Sequence, residues 1–221
     1  ESDWDRVALL ADRYDEVIPF FGLHPWFCGK RSPEWLMRLR EYLTRYPRSG
    51  VGEVGLDKWI RDSDFDDQNL VFREQLELAA ELKRPIAVHC LQAWGTLKER
   101  IDESGLGSRI LIHSYGGPKE MVTDFERSGV VFSISGYFFQ KGKEKKLIPF
   151  SKISLDRLLI ETDAPDMALP ADQRKYCLPD GFDGEERNHP ANLPVVYEMV
   201  SRLRKVQVQA NVDSWLKRGF A

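Results

Sequence analysis

The sequence predicts an α/β fold of the (β/α)8 TIM-barrel type, on three observations. Six short segments are almost continuously apolar, which is typical of parallel strands buried on both faces. Amphipathic helices separate most of these segments, so strand and helix alternate along the chain. Polar and ionisable residues stand repeatedly at the carboxyl ends of the predicted strands. A barrel brings those ends to one rim, whereas an open doubly wound sheet spreads them apart, so we favour the barrel.

The first elements are two helices and two strands. Residues 3–14 carry apolar side chains at the spacing i, i+3, i+4 and i+7, which predicts a helix. The apolar run 17–22 ends at a glycine and predicts a strand. Ser32 and Pro33 are typical of a helix start, with the serine as N-cap and the proline in the first turn. The next strand is predicted over 50–55.

The remainder of the chain repeats the same unit. Amphipathic segments predict helices over 68–83, 94–104 and 118–128, and further helices from about Leu193 and about Val206. Apolar runs predict strands over 85–89, 109–113, 130–135 and 157–162. After the last of these strands the sequence is rich in proline, aspartate and glycine, which predicts a long loop.

The strand count predicts an incomplete barrel. A (β/α)8 barrel has about 250 residues and needs eight strands, whereas this chain has 221 residues and six predicted strands. We therefore expect residues 1–221 to form a single barrel domain that lacks its first strand, first helix and second strand. The strands near 17–22 and 157–162 are then expected to face a gap.

Composition excludes several classes of protein. The formal net charge is −3 and the pI is near 5.9, which argues against a binder that works through a strong positive field. Hydrophobic residues at 42% and charged residues at 30% exclude intrinsic disorder. No apolar window is long enough to span a membrane. Three cysteines form no disulfide framework, so we expect a reducing, cytoplasmic setting. The sequence leaves the oligomeric state open, and we expect a monomer.

Four residues at strand ends predict a metal centre. Glu53, His89, His113 and Asp163 each stand at or just after the end of a predicted strand. A single histidine in such a place is more often a hydrogen-bonded structural residue, but the coincidence of four metal-competent groups favours a shared site. Imidazoles and carboxylates are ligands for Zn²⁺, Mn²⁺ and similar ions, and a carboxylate can bridge two of them.

Six segments, in order, resemble the TatD family of metal-dependent deoxyribonucleases and related hydrolases. They are "GLHPW" (22–26), "GEVGLD" (52–57), "PIAVHC" (85–90), "IHSYGG" (112–117), "LLIETDAP" (158–165) and "RNHPANLP" (187–194). The resemblance implies an amidohydrolase-like TIM barrel with one or two divalent ions. Family members carry an H-x-H pair on the first barrel strand, and this chain contains none.

The resemblance also implies roles for individual residues. Glu53 resembles the bridging carboxylate, and His89 and His113 resemble the ligands of one ion. Asp163 resembles a ligand of the other ion and the partner of the nucleophilic water, so Glu53 and Asp163 are the expected catalytic residues. The motifs further suggest six substrate-binding residues: His24, Trp26, Gln92, Tyr115, Arg187 and Asn188.

The leading hypothesis is a divalent-metal phosphodiesterase or deoxyribonuclease, with DNA ends among its substrates. Water activated by Zn²⁺, Mn²⁺, Mg²⁺ or a similar ion attacks the phosphodiester, and Asp163 takes or orients the proton. The four lysines in 141–146 could attract phosphate if they lie on the catalytic rim. One alternative is an amidohydrolase that acts on a C–N or carboxylic ester bond. Another is a non-catalytic binding or scaffold barrel with a degenerate metal site.

Overall fold

The structure is a computed structural model that describes residues 1–61, 64–178, 187–208, 215–217 and 220. The chain divides into two compact units. The first unit comprises Glu1–Ile112, Arg127–Val130 and Asp213–Ala221, and the second comprises His113–Glu126 and Val131–Val212. No helix within the described residues is both long and apolar enough to cross a membrane.

The first unit alternates helices and parallel strands. Its elements are α1 (Trp4–Arg13), β1 (Phe20–Phe21), α2 (Trp35–Arg45), β2 (Gly50–Asp57), α3 (Phe65–Glu81), β3 (Ile86–Leu91), α4 (Trp94–Ser104) and β4 (Ile110–Ile112). The strands lie in chain order, and each is parallel to the next. Helix α2 packs on β1, α3 on β2 and α4 on β3. This is the strand–helix repeat that the sequence predicts.

The central strand of this unit explains why the strands are so apolar. Seven of the eight residues of β2 are buried, and Glu53 is the only one that is partly accessible. Helix α3 covers β2 with fully buried side chains such as Phe72 and Ala79. Because β2 is buried on both faces, its one partly accessible position, Glu53, is conspicuous, and it lies at the predicted site.

The second unit contains a parallel pair of strands and a small antiparallel pair. Its elements are α5 (Val122–Arg127), β5 (Val131–Ile134), β6 (Leu158–Ile160), β7 (Cys177–Leu178), β8 (Arg187–Asn188) and α6 (Leu193–Arg204). The last residue of α5, Arg127, is assigned to the first unit. Strands β5 and β6 are parallel, with Phe132 opposite Leu158, and α6 packs on β6. The antiparallel ladder of β7 and β8 was not predicted. Within the described part of the chain, each of its strands has two residues, too few to show a period of two.

Most element boundaries lie within a few residues of the predictions, and two differ more. The strand expected over 17–22 shrinks to two residues, β1, because Pro19 has no N–H for a ladder. The helix expected over 118–128 is α-helical only from Val122 and begins with a 3₁₀ turn. The helix expected from about Val206 falls largely outside the described residues. Within its own unit, β1 is bonded to β2 alone and β6 to β5 alone.

Candidate active site

Three predicted site residues of the first unit lie together. His24 follows β1, Glu53 lies within β2 and His89 lies within β3. One nitrogen or carboxylate oxygen from each of the three falls within 4.8 Å of the others. His24 Nε2 is 3.5 Å from Glu53 Oε2. The group is half-buried, so its members are held by the fold and remain reachable from solvent.

The orientation of Glu53 follows from an irregularity in β2. The register between β2 and β3 shifts between Val51 and Val54, so the ladder is interrupted around Glu53. Such irregularities re-aim a side chain relative to a regular strand. Gly55, two residues on, has a φ of +140°, and a Cβ there would lie 2.0 Å from the carbonyl oxygen of His89. Glycine is therefore required for β2 to approach the histidine-bearing strand this closely.

The local turn fixes the proton on His24. The backbone N–H of Trp26 donates to His24 Nδ1 over 3.2 Å, which caps the 3₁₀ turn Pro25–Lys30. A neutral imidazole whose Nδ1 accepts a hydrogen bond carries its proton on Nε2. The Nε2 that faces Glu53 is therefore a hydrogen-bond donor rather than a lone pair.

Asp57 is a buried carboxylate at the end of β2 that the predicted site did not include. Its Oδ2 accepts from the indole Nε1 of Trp26 over 2.7 Å and lies 3.1 Å from His89 Nε2. Its Oδ1 accepts from the backbone N–H of Trp59 over 2.8 Å. Because a carboxylate only accepts, it favours the His89 tautomer with the proton on Nε2 and the lone pair on Nδ1.

Two glutamines of α3 hold the chain on either side of this group. Gln75 accepts from the N–H of Leu23 over 2.7 Å and donates to the carbonyl of the same residue over 3.1 Å. Gln68 does the same for Asp57, over 2.8 and 3.0 Å. Each side-chain amide thus imitates a neighbouring strand. Both glutamines are buried on a helix face that is otherwise apolar, which is the sequence signal that could have revealed them.

The second unit brings together the other two predicted metal ligands. His113 Nδ1 lies 3.9 Å from Asp163 Oδ1 and 3.9 Å from Glu161 Oε1. Asp163 has a φ of +57°, in the left-handed region that a non-glycine residue rarely adopts. Such backbone conformations cluster at functional sites, where the surrounding structure enforces them.

Glu161 organises the loop that follows β4. Its Oε1 accepts from both the backbone N–H, over 2.8 Å, and the hydroxyl of Ser114. Its Oε2 accepts from the hydroxyl of Ser133 over 2.7 Å. Ser114 has a φ of +41°, so these bonds hold an unfavourable backbone conformation directly after His113. The role of Glu161 could not be predicted from its position directly after β6, because its partners lie 28 and 47 residues away in sequence.

Two residues predicted to bind substrate have structural roles instead. Tyr115 is fully buried among Phe125 and Phe132, and its hydroxyl donates to the carbonyl of Pro118 over 2.7 Å. Asn188 is also buried, and its amide donates to the carbonyl of Thr162 over 2.7 Å. Substrate therefore cannot reach either side chain, and both predictions are corrected.

The remaining predicted substrate residues are accessible. Trp26 is 56% exposed, and its ring meets those of His24 and His89 edge-on at centroid distances of 5.1 and 6.3 Å. Gln92 is exposed directly after β3, with a φ of +56°. Arg187 is partly exposed in β8. Their contact with substrate stays a prediction.

The donor set of the first unit fits a divalent ion. Imidazole nitrogen and carboxylate oxygen are the ligands used by Zn²⁺ and Mn²⁺ in hydrolytic sites. In His89, the nitrogen that faces away from Asp57 carries the lone pair, as a metal ligand requires. A carboxylate behind a ligating histidine is the usual support of such sites.

Comparisons with known proteins identify the family to which the chain belongs. The family model described as TatD related DNase matches residues 1–214. The uncharacterized metal-dependent hydrolase YjjV of Escherichia coli K12 is 30% identical over 206 residues, which cover 92% of this chain and 75% of that protein. The 3'-5' ssDNA/RNA exonuclease TatD of Erwinia tasmaniensis is 32% identical over 205 residues, which cover 90% of this chain and 74% of that protein.

A solved structure supports the same assignment. The crystal structure of Escherichia coli YjjV, a TatD homolog, matches with a TM-score of 0.79 and 27% identity, covering 98% of this chain and 79% of that one. A TatD family hydrolase from Entamoeba histolytica matches with a TM-score of 0.76 at 19% identity, which shows the fold alone. The predicted TIM-barrel-like α/β fold and the predicted family are thus confirmed: the chain belongs to the TatD family of related deoxyribonucleases.

Proposed function

We propose that the chain is a divalent-metal-dependent phosphodiesterase that cleaves DNA. The observation that carries this proposal is the pair of Glu53 and His89, which can each offer a lone pair to an ion. With His24, which presents an N–H, they form a group whose nitrogen and oxygen atoms lie within 4.8 Å of one another. The names of the relatives, a metal-dependent hydrolase and a single-stranded DNA/RNA exonuclease, support the same chemistry.

We assign the metal ligands that the family resemblance implies, namely Glu53, His89, His113 and Asp163. They would hold one or two divalent ions, and Zn²⁺, Mn²⁺ and Mg²⁺ are the candidates. When bound, such an ion polarises the phosphodiester and makes water a nucleophile near neutral pH. The half-buried position of His89 and His113 supports their assignment, since partial burial holds an imidazole in place and leaves it accessible.

The residues of the chain then divide the proton transfers between them. Asp163, whose carboxylate lies 3.9 Å from His113 Nδ1, accepts the proton that the attacking water loses. Glu53 acts as the second catalytic carboxylate. His24 presents an N–H at Nε2, so it donates to an anionic oxygen, either that of Glu53 or a non-bridging oxygen of the substrate phosphate.

Substrate contact is assigned to the exposed residues beside these groups. Trp26 offers an exposed indole on which an unpaired base can stack. The ammonium of Lys146 donates to the carbonyl of Gly116 over 3.3 Å. Gly116 lies three residues after His113 in the sequence, and an ammonium there can attract a phosphate. Gln92 and Arg187 are further candidates. The net charge of −3 suits short substrates and strand ends better than long duplex.

Cleavage of a labelled single-stranded oligonucleotide tests the proposal. The chain is stripped of metal and reconstituted with Zn²⁺, Mn²⁺ or Mg²⁺ in turn, and cleavage is expected with at least one of them. His113→Ala should lower the rate by at least about 100-fold, since it removes a ligand and the partner of the proposed base. The matched control is His189→Ala, because His189 caps the 3₁₀ turn Pro190–Asn192 and contacts the ring of Tyr176, and its rate should stay near wild type.

Two other outcomes would overturn the proposal. Hydrolysis of cyclic amides but not of phosphodiesters by the reconstituted chain would favour the amidohydrolase. Failure to bind any of the three ions would favour a non-catalytic scaffold. The monomeric state and the cytoplasmic location stay predictions.

A further inference from the structure

Asp57 is the most completely buried carboxylate beside the candidate metal ligands. Only 1% of its side chain is exposed. A buried carboxylate is costly unless donors surround it, and Asp57 meets three of them. They are the indole of Trp26, the imidazole of His89 and the backbone N–H of Trp59.

These three bonds are separate from those that hold Asp57 itself. Gln68 already pairs with both the N–H and the carbonyl of Asp57. The main chain at the end of β2 is therefore positioned by α3, and the carboxylate is not needed for that purpose. Its hydrogen bonds instead act on two neighbouring side chains. One is His89, on the side of the candidate metal ligands (the ligand side), and the other is Trp26, on the side exposed to solvent (the solvent side).

On the ligand side, the carboxylate sets the state of His89. With Nε2 directed at Asp57 over 3.1 Å, the imidazole is held in one ring orientation and one tautomer, with its lone pair on Nδ1. A carboxylate partner also raises the basicity of a ligating imidazole.

On the solvent side, the same oxygen fixes Trp26. More than half of this side chain is exposed, and an exposed indole ordinarily exchanges between rotamers. Its Nε1–H is bonded to Asp57 Oδ2 over 2.7 Å, which holds the ring at the edge of His24 and His89.

We propose that Asp57 is a positioning residue that fixes His89 for the metal and Trp26 for the substrate through one shared carboxylate oxygen. This inference rests on the proposed function, since it assumes that His89 is a ligand and that Trp26 meets a base. It makes metal affinity and the order of an exposed aromatic side chain depend on the same buried group.

The test measures both arms in the full chain. Mn²⁺ is titrated into metal-free protein by calorimetry, and the Trp26 indole N–H is followed by NMR, with Trp26→Phe identifying its resonance. Asp57→Asn is expected to weaken Mn²⁺ binding about 10- to 100-fold, as loss of a partner behind a ligating histidine does. In the same variant, the Trp26 resonance should shift and exchange faster with solvent.

Trp59→Phe is the matched control. Trp59 is also an exposed tryptophan bonded to Asp57, but through its backbone N–H, which phenylalanine retains. Its Mn²⁺ affinity should therefore equal that of the wild type. If Asp57→Asn does not fold, Asp57→Ser takes its place, because a serine hydroxyl can still accept the Trp59 N–H.

The outcomes separate this inference from the proposed function. If the wild type binds Mn²⁺ and cleaves DNA while folded Asp57→Asn binds Mn²⁺ equally well, the positioning role is overturned and the function stands. An unchanged Trp26 resonance in Asp57→Asn would likewise overturn the substrate-side arm. A wild type that neither binds an ion nor cleaves DNA overturns the proposed function and this inference with it.

Discussion

The two units support their histidines in different ways. In the first unit, Asp57 is fully buried and hydrogen-bonds directly to His89 over 3.1 Å. In the second, Glu161 is 22% exposed on its side chain and lies 3.9 Å from His113, beyond hydrogen-bond distance. One carboxylate orients an imidazole, whereas the other orients the backbone beside an imidazole.

The difference teaches where each unit should be sensitive. Loss of the Asp57 carboxylate acts on a ligand atom, while loss of the Glu161 carboxylate acts first on the Ser114 loop. The first unit also contains a glycine, Gly55, whose Cβ would collide with the backbone of His89. The second unit has a tight glycine as well, but there the obstacle is a side chain.

The largest expected effect is that of Gly55→Ala. The new methyl group would lie 2.0 Å from a carbonyl oxygen, at a φ of +140° that alanine disfavours. We expect the free energy of unfolding to fall by about 3 kcal/mol or more, measured by urea denaturation. Gly117→Ala, which meets the Tyr115 ring at 2.6 Å, should cost about 1–3 kcal/mol.

Gly95→Ala is the control for this pair. Gly95 lies in α4, and outside its neighbours and its own helix backbone no atom of the described residues would come within 4 Å of its Cβ. Alanine should leave stability unchanged or raise it by up to about 1 kcal/mol, because it favours the helix. Equal losses for Gly55→Ala and Gly95→Ala would contradict the close approach of β2 and β3.

A smaller effect is expected from Glu161→Gln. The glutamine oxygen can still accept from Ser114, and its amide can donate to Ser133, so the unfolding free energy should fall by only about 1 kcal/mol. Because no direct bond joins Glu161 to His113, Mn²⁺ affinity should fall less than about threefold, by calorimetry. A loss as large as that of Asp57→Asn would show that both units support their histidines in the same way.

The smallest expected effect concerns the thiols, whose reactivity should also differ between the two units. Burial raises the pKa of Cys28 and of Cys90 to about 12, and both lie in the first unit. Cys177, in the second unit, is exposed. In native protein at pH 8, a thiol-specific disulfide reagent should modify Cys177 rapidly and the other two only upon unfolding.

The raised thiol pKa values also make the stability of the protein depend on pH. The unfolded thiols lose their protons above about pH 8.5, while the folded ones keep them until their raised pKa. The stability that the neutral thiols contribute is therefore complete below about pH 8.5, and it is lost as pH rises toward 12. Cys177→Ser should abolish the rapid reaction, and two rapid equivalents in the wild type would contradict the burial.

Much of the fold could be predicted because its signals are local. The helix α4 begins and ends where its sequence predicts, and Gly105 ends it in the left-handed conformation that favours glycine. The four metal-competent residues could be found because apolar strands make a terminal polar residue stand out. The helix pattern could have singled out Gln68 and Gln75, but the partners of these glutamines and of Asp57 could not be assigned, since they depend on packing; Gln75 and Leu23 are 52 residues apart. Tyr115 and Asn188 were misassigned because a family motif also contains residues that only support it.

The two buried glutamines of α3 connect one helix to two separate segments of the site. Gln68 and Gln75 are seven residues apart, two turns of an α-helix, or about 10.5 Å along its axis. Their hydrogen bonds hold the end of β2 and the segment before His24 against the same helix. A shift of α3 along its axis would therefore carry both segments together and preserve their spacing. The spacing between Leu23 and Asp57 is thus held by α3 as well as by the ladder between β1 and β2.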